Sequence, residues 1–157
     1  SSPLVEAIVQ GIQGMALPAR VEIRNDVSPD LPDLYADPLR LTQVFQNVLA
    51  NAIDLSPEDG VVWVRGSEVR LHGEPYVRFE IADEGPGFAD EEHEHLFEKF
   101  WSGGAGGNGH LSHGLGLVIA RLIVEGHRGE ISARRRDQGG TAFSFAIPVH
   151  RPRSLSE

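Results

Sequence analysis

Residues Tyr76 to Ile81 alternate polar and apolar without a break. Val77, Phe79 and Ile81 fall on one side, and Tyr76, Arg78 and Glu80 on the other. Successive strand side chains point to opposite faces, so the stretch predicts a strand with one buried and one solvated face. A sheet of such strands takes its helices on one side.

The surrounding segments agree. Apolar residues at Leu4, Val5, Ile8, Val9, Ile12 and Met15 keep helical spacing, and Pro18 ends that helix. Val21 to Val27 predicts a strand. Asp37-Pro38 reads as a helix start, with aspartate as N-cap and proline in the first turn. That helix runs to about Leu55 and stops at Ser56-Pro57. Val61 to Leu71 reads as a strand bulged at Gly66, and His72 to Pro75 as a turn. Ala89 to Phe100 predicts a short helix with an acidic first turn, and Leu115 to Val124 a buried helix. Glu130 to Arg136 and Thr141 to Ile147 flank Gly139-Gly140 and predict a hairpin. The order lacks the strict strand–helix alternation of a doubly wound fold. It predicts an α+β two-layer sandwich, a mixed sheet with helices on one face.

At 157 residues the chain is one domain, read as residues 1–150 with a polar tail over 151–157. It has no cysteine, which excludes a disulfide scaffold, Cys-ligated zinc, iron–sulfur clusters and thiol catalysis and fits a reducing compartment. No apolar run approaches the ~20 residues of a membrane span, and no signal peptide opens the chain. The domain is therefore expected in the cytoplasm, without direct membrane contact, whether or not a parent protein is membrane-anchored. A net charge of −9 argues against nucleic-acid binding. Lys99 is the single lysine. A phosphate would thus be held by backbone N–H groups and a metal rather than by a basic patch.

Three segments carry candidate chemistry. The Asp37–Leu55 helix buries Leu41, Val44, Val48 and Ala52 and shows Asn47, Asn51 and Asp54 on its other face. At about 100° per residue those three project within ~60° of one another. Two carboxamides and a carboxylate suit a hydrated divalent cation; an ordinary solvated face has the same pattern. Asp83-Glu84-Gly85-Pro86-Gly87 follows the buried strand. A carboxylate there can accept from an exocyclic amine such as that of adenine, while the glycines admit close backbone approach; a tight turn reads the same way. His113-Gly114-Leu115-Gly116-Leu117 opens a helix whose free N–H groups form an anion site, or it is a glycine hinge.

Other patterns carry less. Gly104 to Gly109 matches G-x-G-x-x-G, but no strand precedes it, which excludes the dinucleotide reading. His93 and His95 point apart on a helix, so with His110 and His113 they read as solvated residues rather than as a transition-metal site. Arg134 to Arg136 reads as an exposed edge with its stems packed on the sheet.

Taken together, DLPDLYADPLRLTQVFQNVLANAID (30–54), DEGPGF (83–88), LFEKFW (96–101), GLGL (114–117) and GGTAFSFAIP (139–148) resemble the catalytic and ATP-binding domain of bacterial sensor histidine kinases. That superfamily also holds gyrase, the heat-shock-90 chaperones and MutL. The resemblance covers about Leu4 to Pro148 and implies a Bergerat-type fold with a mostly antiparallel sheet, and ATP and Mg²⁺ as cofactors. It implies that Asn51 ligates Mg²⁺ with Asn47 beside it, and that Asp83 binds the adenine amine with Thr141 assisting through water. Gly85 and Gly87 would shape the adenine pocket, with Ile53, Ile81 and Phe143 as its apolar walls. Gly114, Leu115, Gly116 and Leu117 would lie at the phosphates. Phe97 and Phe100 would anchor a lid over about Phe88 to His113.

Asparagine at position 47, where ATPases of the superfamily carry a glutamate base, implies phosphoryl transfer to a protein histidine. The nucleophile would sit on a helical dimerisation and histidine-phosphotransfer domain of the parent protein, because no H-E-x-x-x-P-like acceptor motif occurs here. A response-regulator receiver domain would be the next partner. The family pattern usually has a basic residue where Asp54 stands and often arginine where Ser102 stands. An added carboxylate repels phosphates by ~1–4 kcal/mol at ~4 Å. Lys99, Arg121 or protonated His110 would then supply the cation. The alternative is a degenerate nucleotide-binding module that regulates a partner without catalysis.

Overall fold

A computed structural model gives the fold. It describes residues 7–8, 10–11, 21–27, 30–32, 34, 36–57, 59–85, 111–137 and 139–149, and the backbone alone for 54–55 and 111–115. The strands are β1 (Glu22–Val27), β2 (Val61–Leu71), β3 (Glu74–Ala82), β4 (Glu130–Arg135) and β5 (Thr141–Pro148). The helices are α1 (Pro38–Leu55) and α2 (Leu111–Gly126). Ala7, Ile8, Gln10 and Gly11 are also helical, and Ile8 is buried in the core.

The strands form one sheet in the order β1–β2–β3–β5–β4. β1 runs parallel to β2, and the other three pairings are antiparallel. A parallel pair needs a long crossover, which α1 provides. This is the mixed, mostly antiparallel sandwich expected from the sequence. The β2–β3 hairpin closes on His72 and Gly73, both at positive φ (53° and 77°), so the turn is two residues long and Pro75 already belongs to β3.

α1 begins as expected: Asp37 Oδ1 accepts from the N–H groups of Leu39 (2.9 Å) and Arg40 (3.4 Å), and Pro38 follows it. Its buried stripe is wider than the spacing suggested, adding Phe45, Leu49 and Ile53 to Leu41, Val44, Val48 and Ala52. The inner sheet face presents Val62, Val64, Val77, Phe79, Ile81, Phe143, Phe145 and Ile147. Phe45 of α1 meets Phe79 and Phe145 edge-on, at centroid distances of 4.9 and 5.0 Å. Each such ring contributes roughly 1.5–3 kcal/mol by burial, so this contact anchors α1 to the middle of the sheet.

The pairing of β2 with β3 runs unbroken through Gly66, opposite Phe79, so the expected bulge is absent. Glycine serves close packing there instead: a Cβ would lie 3.1 Å from both Leu31 and the Phe79 ring. α2 starts at Leu111 rather than Leu115, which puts Gly114 and Gly116 inside its first two turns. Among the described residues two hydrogen bonds join the helices. The Asp37 N–H donates to His127 Nε2 (3.1 Å), just beyond α2, and Asn47 Nδ2 donates to the Gly116 carbonyl (3.0 Å). The segment predicted as a helix over 89–100 lies outside the described residues. Among the described residues no helix is long and apolar enough to cross a membrane.

Candidate functional site

β3 lies between β2 and β5 and ends at Ala82, so the next residue, Asp83, emerges in mid-sheet. Its N–H donates to the Thr141 carbonyl (3.0 Å). Its Oδ1 accepts from the N–H groups of Gly85 (2.8 Å) and Thr141 (3.3 Å). Its Oδ2 is buried with no partner. Among the described residues four buried side-chain polar atoms lack a hydrogen bond: Asp83 Oδ2, Thr141 Oγ1, Asn51 Nδ2 and Ser56 Oγ. Three of the four belong to residues singled out from the sequence. An orphaned buried group costs about 1–3 kcal/mol and is rare in native proteins, so such orphans mark places where something else completes the bonding.

Burial pushes the Asp83 carboxyl up to about 6, against the two backbone donors and the positive charge of Arg136; Glu84 adds a small upward push. A buried carboxyl with one satisfied and one unsatisfied oxygen can accept a further hydrogen bond at Oδ2.

Asn51 is 3% exposed, and Asn47 is half-buried. The sequence reading placed both on a face turned away from the core. α2 covers that face, as the Asn47–Gly116 bond shows. The Asp54 side chain is outside the described residues. Ile53, Ile81, Phe143 and Leu117 are all core residues, and Ile81 stands opposite Phe143 in the β3–β5 register. Arg121 is exposed and ion-paired with Glu125 one turn on (3.1 Å). Gly87, Phe97, Lys99, Phe100, Ser102, His93, His95 and His110 lie outside the described residues, as do Gly104 to Gly109. Of Gly114, Leu115 and His113 only the helical backbone is described.

Two features escaped the sequence. Gly140, read only as half of a turn, has φ +91°, and a Cβ on it would lie 2.0 Å from the Asp83 carbonyl oxygen. Its place directly before Thr141 was the available signal. Arg136, read as an exposed edge residue, donates from Nη1 to that same carbonyl (2.7 Å) and lies 4.9 Å over the Trp63 ring. Arg134 does behave as an edge residue, paired with Glu80 at 3.1 Å.

With this geometry in hand, comparison with known proteins identifies the class. Residues 36–151 match the family model described as histidine kinase-, DNA gyrase B-, and HSP90-like ATPase, and the chain belongs to that family. It is 35% identical over 150 residues to the sensory histidine kinase/phosphatase NtrB of Salmonella typhimurium, covering 91% of this chain and 41% of that protein. It is 32% identical over 131 residues to sporulation kinase E of Bacillus subtilis, covering 83% of this chain and 17% of that protein. The chain therefore spans well under half the length of these curated relatives. Among solved structures, the mycobacterial sensor histidine kinase MprB superposes with a TM-score of 0.79 at 25% identity, covering 94% of this chain and 97% of that one. Full-length ShkA in complex with AMPPNP gives 0.76 at 28% identity, covering 96% and 31%. The fold is that of histidine kinase catalytic domains.

Proposed function

We propose that the chain is the ATP-binding catalytic domain of a two-component sensor histidine kinase. It would position ATP so that a histidine nitrogen on a separate helical dimerisation domain takes the γ-phosphoryl group and ADP leaves. In this reading residues 1–150 form the catalytic module, 151–157 are a polar tail, and a receiver domain accepts the phosphoryl group next. The carrying observation is the set of buried, unpartnered polar atoms on Asp83, Thr141 and Asn51. A purine supplies what two of them lack: its exocyclic amine donates to Asp83 Oδ2, and Thr141 Oγ1 joins through water. Both residues are fixed beforehand by their mutual backbone bonds, so little ordering entropy is lost on binding.

Asn51 fits the metal. The Nδ2 of its buried carboxamide has no acceptor, and turning the amide over brings its oxygen to that unpartnered position, where it can ligate a hard cation. Among the described residues no three His, Asp or Glu side chains converge. A Mg²⁺ at Asn51 would thus share its remaining coordination with phosphate oxygens and water, the arrangement Mg²⁺ prefers. When bound, it would neutralise phosphate charge. Asn47, one turn before Asn51 on α1, is held by its bond to the Gly116 carbonyl and would lie near such an ion.

Titration calorimetry of the chain with ADP and with GDP, each with and without Mg²⁺, tests this. Mg²⁺-dependent ADP binding with weak GDP binding is expected. Equal affinity for the two bases, or no binding, overturns it. Phosphorylation of an added cognate dimerisation domain tests the transfer step.

A further inference from the structure

The face of the sheet turned away from the helices carries a groove of about 220 Å³ lined by Trp63, Arg65, Glu80, Arg134 and Arg136. Arg136 is the member that reaches beyond it. Its guanidinium lies over the Trp63 ring, and Nη1 donates to the carbonyls of Asp83 (2.7 Å) and Gly139 (3.3 Å). The turn after β4 is closed by its own backbone: the Arg136 N–H donates to the Gly140 carbonyl, and the Gly139 N–H to the Arg136 carbonyl. Gly140 presses on the same Asp83 carbonyl that Arg136 holds.

We propose that Arg136, seated on Trp63, is a positioning residue for nucleotide binding that holds Asp83 from behind the sheet. This rests on the adenine reading of Asp83. Two effects follow. The forked donor fixes the backbone from which the carboxylate projects. The cationic charge also favours the ionised carboxylate, which alone can accept from an amine at both oxygens. Among the described residues the charged groups acting on Asp83 are Arg136, which favours ionisation, and Glu84, which opposes it.

The experiment measures ADP affinity of the parent and of Arg136→Met, Arg136→Gln and Arg136→Lys at pH 6 and pH 8. Reporting each variant relative to the parent at the same pH cancels titration of the nucleotide phosphates. The Arg136 charge favours the ionised Asp83 carboxyl, so its loss moves that carboxyl further up from about 6. The ionised fraction then falls at pH 6, where the parent carboxyl is about half ionised, and changes much less at pH 8. Arg136→Met and Arg136→Gln should therefore lose severalfold more affinity at pH 6 than at pH 8, and Arg136→Lys should recover most of that excess. A loss of equal size at both pH values, or an excess in Arg136→Lys matching that in Arg136→Met, overturns the proposal. A parent that binds no ADP defeats the nucleotide reading instead, which separates the two failures. Two neutral variants keep the test decisive if one fails to fold.

Discussion

A Cβ on Gly140 would lie 2.0 Å from the Asp83 carbonyl oxygen, whereas Gly139, also at positive φ (+100°), has nothing within 4 Å. Substituting each in turn separates backbone strain from close approach. Gly139→Ala should cost about 1–3 kcal/mol by strain alone. Gly140→Ala should cost more, and it should lower ADP affinity by about tenfold or more because it displaces the accepting carboxylate. Urea unfolding and calorimetry on both variants check this.

Asp83→Asn should trade binding for stability. The folded carboxyl is raised from 3.8 to about 6, so the fold binds the proton more tightly than the unfolded chain does. Ionisation therefore destabilises the ligand-free protein fully above pH 6, and that penalty fades as the pH falls toward 4. It amounts to roughly 3 kcal/mol. The stability advantage of Asp83→Asn over the parent should be greatest at pH 8 and shrink by about that amount by pH 4, as denaturant melts would show. ADP binding should weaken by about 1–3 kcal/mol at neutral pH.

Asn51→Leu replaces a buried carboxamide whose Nδ2 has no acceptor. Removing an unsatisfied polar group for an apolar one of similar size is close to neutral for folding. The variant should melt within about 1 kcal/mol of the parent while losing the Mg²⁺-dependent part of ADP affinity. Thermal denaturation beside calorimetry with and without Mg²⁺ distinguishes this from general damage.

Gly116 lies inside α2, where glycine costs about 0.5–1 kcal/mol relative to alanine. A Cβ there would make only ordinary contact with Asn47, at 3.8 Å. Gly116→Ala should therefore stabilise the ligand-free chain by a comparable amount, about 0.5–1 kcal/mol. A fall in ADP affinity in the same variant would assign the glycine to the ligand rather than to the fold. Unchanged affinity would remove Gly116 from the phosphate site.

What was legible in the sequence was local. The alternation at Val77, Phe79 and Ile81 and the Asp37-Pro38 start are short-range signals, and both appear where expected. Helical spacing also grouped Asn47 with Asn51. It could not say what lies over them, because a helical wheel fixes relative direction and not the neighbour; α2, some sixty residues on, decides that. The same reason hid Arg136. Its partners Trp63 and Asp83 come from two other strand ends, which only the sheet order β2–β3–β5–β4 brings together. Gly66 misled for a related cause. A glycine within a strand signals either a bulge or a close neighbour, and Leu31 and Phe79 supply the neighbour.

The bonds from Asp37 to His127 and from Asn47 to Gly116 fasten two antiparallel helices at both ends of one span. That span is ten residues on α1 and eleven beside α2, about 15 Å along either axis. Bonds at matched spacing oppose sliding of one rod along the other, because a one-turn ratchet would have to break both at once. A tilt of α2 about Asn47 can keep that bond intact, whereas a slide of α2 along α1 breaks both.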